Sequence, residues 1–578
     1  MKKYILMIAA CMMMTSCLDT IILPDDKTVD EDFWQTKEDV SSMVNAAYSA
    51  MTTEDVMTRI IIWGDYRSDE LVRSNAFTGA EPDALDEVKA VSMQTTNRYA
   101  TWAGFYSVIN RCNMVLDRAE EVVEKDPNYT QSDYMADRSQ MLALRSLCYF
   151  YLVRAFRDVP YITESYMTSS QNRNVSQSAP SVVLEGCIKD LKEAVGTALS
   201  SRSYGVSEWR RVGWFTADGI RTLLADVYLW RASVTHNTAD YQACADLCSQ
   251  VIASKRSQHV RGRNEVVEKE FPLANADRAY YELFVEQNAE ESIFELQSTN
   301  NVGLCRYYFK GKDNNSTSGL LKASSIFSSA ANTVTSVSDN QVYFNGDLRH
   351  YAACYHSSKN TSEENFSIRK MIGMSSVNDK TTEDPSSGTG RTFANYDQNF
   401  NIYRLSDAML MRAEALIELA DPSTVEDPSM REAFHLIQMV NAYNLYQITD
   451  SMKWNTFKTG GKSGMEKLLL QERLREFCFE GKRWFDLLRY NYRHVEGVDY
   501  NRILADQVGD NGYSGVKNYS EMLKLMTRGS GSEAEGIKAK MVSEAYLYMP
   551  IPNSDINVCP LLKQNPVYSN NSKYSKNY

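Results

Sequence analysis

The sequence lacks the groupings of residues that most catalytic metal and nucleophile sites need. Histidine is scarce, with six in 578 residues, and these are scattered singly without an HExxH motif, so we expect no catalytic zinc centre. No GxSxG motif is present, which disfavours a serine hydrolase of the α/β class. Thr459–Ser463 resembles the end of a phosphate-binding loop, but Thr456 stands where its first glycine would be. The sequence therefore predicts no catalytic residues, no metal and no cofactor.

The sequence also has fewer basic than acidic residues and lacks long apolar runs beyond its N-terminus. Lys and Arg total 62 against 74 Asp and Glu, a formal net charge of −12 without a basic cluster, so the sequence predicts no nucleic-acid partner. Beyond the N-terminus, no apolar run approaches the roughly 18–20 residues that a membrane-spanning helix needs. The mean hydropathy of −0.42 is typical of a globular protein with a sizeable core.

Cysteine occurs at 11 positions, but no CxxC pair is present, which disfavours a dithiol redox site. Cys148, Cys244, Cys248 and Cys478 fall on the apolar stripes of predicted helices, where cysteine behaves as a small hydrophobic residue. The step from Cys244 to Cys248 is a helical repeat. We therefore expect these thiols to lie in the core.

The N-terminus carries the strongest local signal. Lys2-Lys3 precedes an apolar run, Tyr4–Met14, that is too short to span a bilayer. The run ends in Met14-Thr15-Ser16-Cys17, which resembles a bacterial lipobox with Met14 in place of the usual Leu. Cys11 ends a similar motif, but cleavage there would leave an apolar core too short for a signal peptide. The sequence predicts a signal peptide over residues 1–16 and lipidation of Cys17, with an ordinary signal peptide as the alternative; both imply export.

Helical periodicity dominates the remainder, which predicts a mostly α protein. Apolar residues recur at three- and four-residue steps from Met141 to Ala155, and this helix should stop at Asp158-Val159-Pro160. Two helix pairs resemble tetratricopeptide units: residues 217–233 with 241–252, and residues 404–419 with 430–445. Residues 467–490 form a further helical stretch.

The middle of the chain, residues 303–401, is rich in Ser, Thr, Asn and Gly and has few helical stripes. Long irregular stretches within compact proteins are usually functional. Ser292–Leu296 reads as a short strand beside it. The 35 Tyr, 8 Trp and 20 Phe suit wet binding surfaces, although we expect most of them in the core.

Read in order, several segments resemble the SusD/RagB family of outer-membrane nutrient-binding lipoproteins. They are Val29–Trp34, Trp102–Tyr106, Arg157–Pro160 (with Arg157 where the family has Gly), Glu472–Leu487, Met549–Pro552 and Gln564–Tyr568. In Glu472–Leu487, opposite charges recur at helical steps while Leu474, Phe477 and Trp484 face a core. This signature is therefore expected to build the scaffold and not the ligand site.

The resemblance implies tetratricopeptide-like helix pairs that form a scaffold, and a loop-rich region with short strands. It implies the following division: signal peptide 1–16, N-terminal helical region 17–255, variable region 256–402 and C-terminal helical region 403–578. It also implies a non-enzymatic lipoprotein on the outside of the outer membrane, held there by its lipid anchor alone. Such a protein binds an oligosaccharide and delivers it to a SusC-like TonB-dependent transporter.

The resemblance further implies a ligand site on the loops after the first long helix and in the variable region. The candidates there are Trp63, Asp69, Arg73, Asn97, Tyr99, Tyr307 and Tyr308. An exposed aromatic platform with a few fixed polar groups would suit a sugar, and the alternative is that these aromatics are core and that Asp69 pairs with Arg73. Two other functions stay open: a peptide-binding, RagB-like protein, and a lipid-anchored glycoside hydrolase whose carboxylate pair sequence cannot exclude.

Overall fold

The computed structural model describes most of the chain after residue 32. The described residues are 33–74, 78–168, 170–205, 207–259, 270–298, 319–327, 330–331, 342–344, 346–354, 368–374, 389–390, 397–424, 426–445, 451–507, 520–528, 534–541 and 543–569. None of the helices found there combines the length and apolarity needed to cross a membrane. Cys17, Tyr307 and Tyr308 lie outside the described residues.

The N-terminal half is built from helices. These are α1 Lys37–Met51, α2 Glu54–Ile61, α3 Ala80–Lys89, α4 Ala103–Lys125, α5 Gln131–Phe156, α6 Pro180–Thr197, α7 Arg210–Gly213, α8 Ala217–Thr235 and α9 Thr238–Gln258. A π-helix, Ile62–Tyr66, continues directly from α2, and a second, Tyr281–Glu286, follows α9.

The C-terminal half adds further helices. These are α10 Arg349–Ala353, α11 Arg369–Ile372, α12 Leu405–Leu419, α13 Pro428–Ala442, α14 Trp454–Phe457, α15 Gly461–Phe477, α16 Arg483–Arg493, α17 Ser520–Met526, α18 Ala534–Lys540 and α19 Asn553–Val558. Short 3₁₀ turns occur at Ser201–Ser203, Ser325–Phe327, Lys458–Gly460, Leu504–Gln507, Glu544–Leu547 and Pro566–Tyr568.

Strands are short, and in the described part of the chain they pair only two by two. They are β1 Leu71–Arg73, β2 Val159–Pro160, β3 Gln177–Ser178, β4 Ser292–Leu296, β5 Leu321–Ala323, β6 Ala330–Ala331, β7 Tyr343–Phe344, β8 Gly373–Met374, β9 Thr389–Gly390 and β10 Phe400–Arg404. The predicted strand β4 is confirmed and pairs antiparallel with β10, with register shifts along it. The boundary that we propose at residue 402 thus falls inside β10.

The long helices stack in an almost continuous row. In order of contact the row runs α1, α4, α5, α6, α8, α9, α12 and α13, and α15 and α16 pack against α12 and α8. The two predicted helix pairs are confirmed as α8 with α9 and α12 with α13, and α9 packs against α12. The fold is therefore mostly helical, with tetratricopeptide-like pairs as its scaffold.

Local sequence explains where the central helices begin and end. The side chain of Thr130 caps α5 in a capping box with Asp133. The helix ends at Phe156, before the predicted stop at Asp158-Val159-Pro160, because Arg157 adopts a positive φ of 68°. The predicted helical stretch 467–490 is two helices, since Phe479 and Gly481 also take positive φ values between α15 and α16.

The charged residues of the Glu472–Leu487 signature are buried and paired. Arg475 lies 2.8 Å from Glu472, and Arg473 lies 2.9 Å from Asp486. Arg404 of β10 reaches Glu476 at 2.7 Å. The prediction that this segment builds the scaffold is confirmed, because its side chains bind one another inside the core.

The described cysteines are all buried and free. Cys148 lies in α5, Cys244 and Cys248 lie in α9, and Cys478 follows α15. The prediction that these thiols are core residues is confirmed. Burial raises the pKa of Cys478 to about 12, which keeps that thiol protonated and unreactive at neutral pH.

Candidate functional site

Trp63 lies in the core and has no exposed surface. Its indole Nε1 donates a hydrogen bond to the backbone oxygen of Tyr99 at 2.9 Å. Its ring stacks on Phe105 with 5.1 Å between centroids and meets Phe156 edge-on at 5.3 Å. The π-helix that continues α2 directs this residue inward.

Tyr99 and Asn97 are also part of the scaffold. Tyr99 is only 1% exposed, and Asn97 donates to the Ala84 carbonyl at 3.0 Å and to Glu87 at 2.8 Å. A buried ring presents no face to a ligand. The exposed aromatic platform expected at Trp63 and Tyr99 is therefore not found there, because both rings are buried: Trp63 packs against α4 and α5, and the Tyr99 hydroxyl donates to Glu81 of α3.

Asp69 and Arg73 do not pair with each other. Asp69 is fully buried, lies 3.0 Å from Arg483 of α16, and also contacts Arg528. Burial by itself would raise the pKa of Asp69, but the two guanidinium charges outweigh it and hold that pKa well below the usual range. Arg73 instead lies 2.6 Å from Asp86 near the surface. Of these two residues, only Arg73 is placed where a ligand could reach it.

A partly exposed group of aromatic side chains and one arginine occurs elsewhere, where the segment between α6 and α8 packs against Tyr48 of α1. We call it the Trp209 cluster: Tyr48, Tyr204, Trp209, Arg210 and Trp214. Trp209 is 42% exposed, whereas Tyr204 and Trp214 are half-buried. The Trp214 ring lies at the centre, with centroid distances of 5.9 Å to Trp209, 6.3 Å to Tyr204 and 6.1 Å to Tyr48. Trp209 and Tyr204 meet it edge-on, and Tyr48 stacks on it.

The short helix α7 sets the geometry of the Trp209 cluster. Trp209 is its N-cap, and its carbonyl accepts a hydrogen bond from the Gly213 N–H at 2.8 Å. A Cβ on Gly213 would lie 2.6 Å from the Trp209 ring and 2.6 Å from the Gln297 side chain. A glycine at position 213 therefore leaves room for the Trp209 ring and the Gln297 side chain to pack against the backbone of α7.

Charged groups border the rings of the Trp209 cluster. Arg210 forms a two-point contact with Glu208, at 3.1 Å through Nε and 3.2 Å through Nη2. The same guanidinium lies 5.3 Å from the Trp214 ring centroid, in cation–π geometry. Hydrogen bonds from Arg210 lower the pKa of Glu208, so this carboxyl is ionised at neutral pH. The surface thus combines aromatic rings with fixed donors and acceptors.

Two family profiles together account for most of the sequence. One, described as the SusD family, matches residues 300–568. The other, described as starch-binding and associating with the outer membrane, matches residues 22–229. The chain belongs to the SusD family.

Known SusD-like proteins match over nearly their full length. SusD-like protein P38 of Formosa agariphila is 24% identical over 521 residues, covering 85% of this chain and 92% of that protein. A SusD homologue from Bacteroides thetaiotaomicron shares 18% identity, with a TM-score of 0.64 over 94% of this chain and 99% of the other. A laminarin-binding SusD-like protein shares 19% identity, with a TM-score of 0.60 over 93% and 100%. These structural likenesses confirm the expected SusD fold.

Sequence reasoning passed over the Trp209 cluster, although a signal for it was present. Tyr204, Trp209 and Trp214 lie in a stretch without a helical stripe, next to the Glu208–Arg210 pair. The family resemblance instead implies a ligand site on the loops after the first long helix and in the variable region. The position of these three aromatic residues outside any amphipathic stripe is the feature that marks them.

Proposed function

We propose that this SusD-family protein captures an oligosaccharide at the cell surface and delivers it to a SusC-like TonB-dependent transporter of the outer membrane. The observation that carries the proposal is the exposed Trp209 cluster. Sugars offer flat C–H faces and many hydroxyls, so they bind surfaces that combine aromatic rings with a few fixed polar groups. Trp209 supplies the ring, and the Glu208–Arg210 pair supplies an acceptor and donors at its edge.

The comparisons support a glycan as the ligand and the outer membrane as the location. One matching profile is described as starch-binding and associating with the outer membrane, and one structural neighbour is described as laminarin-binding. The transporter partner follows from the resemblance to the family. Peptide binding is the alternative, and a screen of both ligand classes separates the two.

The carboxyl group beside Trp209, Glu208, does not have the raised pKa of a glycosidase general acid. A glycoside hydrolase needs a general acid, a carboxyl group whose pKa is raised towards neutrality. Arg210 instead lowers the pKa of Glu208. On the resemblance to the SusD family, we propose a protein that holds a glycan without cleaving it, and turnover of any bound glycan would contradict this.

Trp209→Ala is expected to weaken binding of a laminarin or starch oligosaccharide by roughly 1–3 kcal/mol, about the value of burying one large apolar side chain. The melting temperature should stay nearly unchanged, because Trp209 is already 42% exposed. Isothermal titration calorimetry on the soluble protein, guided by a glycan array, measures the affinity.

Trp454→Ala is the matched control, since Trp454 is a half-buried tryptophan that packs on Phe434 of α13. It should leave glycan affinity unchanged. Unaltered glycan affinity in both Trp209→Ala and Trp214→Ala would show that the Trp209 cluster is not the site. Binding of peptides in place of glycans would favour the RagB-like alternative.

Cys17→Ala is expected to release the mature protein from the membrane fraction. Each buried methylene of a lipid anchor contributes about 0.8 kcal/mol, so the acyl chains on one cysteine are enough to hold the protein at the membrane. Cell fractionation with metabolic lipid labelling makes the measurement, and Cys11→Ala serves as the control that should stay anchored. A Cys17→Ala protein that remains membrane-bound and lipid-labelled would refute lipidation at this residue.

A further inference from the structure

A groove of about 580 Å³ lies between the end of α1, the start of α2 and the start of α4. Its polar lining consists of Ser49, Thr53, Asp55, Ser107 and Arg111, and its floor is made of alanines and Gly104. The volume falls within the roughly 300–1,000 Å³ range of small-molecule sites.

Small residues leave this space open. A Cβ on Gly104 would lie 2.7 Å from the Asp55 carboxylate and 3.0 Å from the Val56 side chain, so α4 begins in close contact with α2. Helical periodicity places Ala46, Ser49 and Ala50 on one side of α1. Tyr48, which belongs to the Trp209 cluster, points to the other side. The groove and the cluster are thus separate surfaces.

Arg111 carries a positive charge that the described residues do not neutralise. Its Nη1 donates to the Ser107 carbonyl at 2.9 Å and contacts the Ser107 hydroxyl, and no carboxylate of the described residues lies within ion-pair distance. The other charges nearby are paired: Asp55 lies 2.7 Å from Arg59, and Arg118 of α4 lies 2.8 Å from Glu121. Burial lowers the pKa of Arg111, which reflects a desolvated guanidinium without a compensating acid.

We propose that the groove binds an acidic sugar, with the sugar carboxylate on Arg111. A guanidinium matches a carboxylate with two parallel hydrogen bonds. The apolar ring face would lie against the alanines, and hydroxyls of the sugar would reach Asp55, Ser49 and Thr53. A carboxylate restores the charge balance that Arg111 lacks within the protein. A neutral ligand would leave the guanidinium uncompensated.

The test is titration of the full mature protein with glucuronate, with glucose as the neutral probe. Glucuronate should bind and glucose should not bind measurably at the same concentrations. Arg111→Gln should weaken glucuronate binding about 10- to 100-fold, as expected for the loss of a charge-assisted hydrogen-bond pair. Arg111→Lys keeps the charge but not the two-point geometry. Its affinity for glucuronate should lie between those of the wild type and Arg111→Gln.

Controls separate this site from the rest of the molecule. Arg118→Gln removes a partly buried arginine from the same helix, outside the groove, and should leave glucuronate affinity unchanged, as should Trp209→Ala. If Arg111→Gln does not fold, Ala46→Trp, which keeps Arg111 but fills the groove, should abolish binding. The proposal is overturned if the wild type does not bind glucuronate at millimolar concentration. It is equally overturned if Arg111→Gln and Ala46→Trp bind glucuronate normally, or if galactose 6-sulfate binds more tightly than glucuronate.

Discussion

Arg404→Ala is expected to lower the free energy of unfolding by about 3–5 kcal/mol, the cost of removing one partner from a buried charge network. Arg404 is 1% exposed and lies 2.8 Å from Glu291, 2.7 Å from Glu476 and 2.9 Å from Glu480. Without the guanidinium, three buried carboxylates lose a shared partner. Urea denaturation followed by circular dichroism measures the loss.

Arg431→Ala is the control for Arg404→Ala. Arg431 forms an ion pair of similar length, 2.9 Å to Glu426, but both side chains are about half exposed. Exposed pairs contribute roughly 0–1 kcal/mol, because water solvates the separated charges well. Equal losses from the two substitutions would contradict the assignment of Arg404 to a stabilising buried network.

Trp63→Ala is expected to cost roughly 3–5 kcal/mol of stability, the usual range for truncating a buried aromatic side chain. The substitution removes the contacts with Phe105 and Phe156 and leaves the Tyr99 carbonyl without its indole donor. Thermal and urea unfolding measure the effect. Glycan affinity of the folded fraction should remain unchanged.

Trp209→Ala completes the comparison with Trp63→Ala, since the two tryptophans differ chiefly in burial. Trp63→Ala should lower stability and leave glycan affinity unchanged. Trp209→Ala should lower glycan affinity and leave stability nearly unchanged. If Trp63→Ala instead weakened glycan binding at unchanged stability, the ligand site would lie near the region that the family resemblance indicated, and the Trp209 cluster would lose its role.

Much of the scaffold could be read from sequence because its cause is local. The apolar stripes of α5, α8, α9, α12 and α13 repeat at the helical period, and a helix must bury such a stripe. The charges of Glu472–Leu487 recur at the same period, and they proved to pair inside the core. The break of this segment into α15 and α16 was not predicted, because it depends on the positive φ values of Phe479 and Gly481.

The assignment of individual side chains to the core or to the surface required the tertiary structure. By itself, the sequence determined the helical class, the repeated helix pairs, the core cysteines and the family, all of which follow from local periodicity and ordered motifs. The burial of Trp63, which follows the apolar run Ile60-Ile61-Ile62, and the exposure of Trp209 were not read from the sequence. Their exposure depends on which distant elements cover them: α4 and α5 close over Trp63, whereas α7 holds Trp209 at the edge of the helical row.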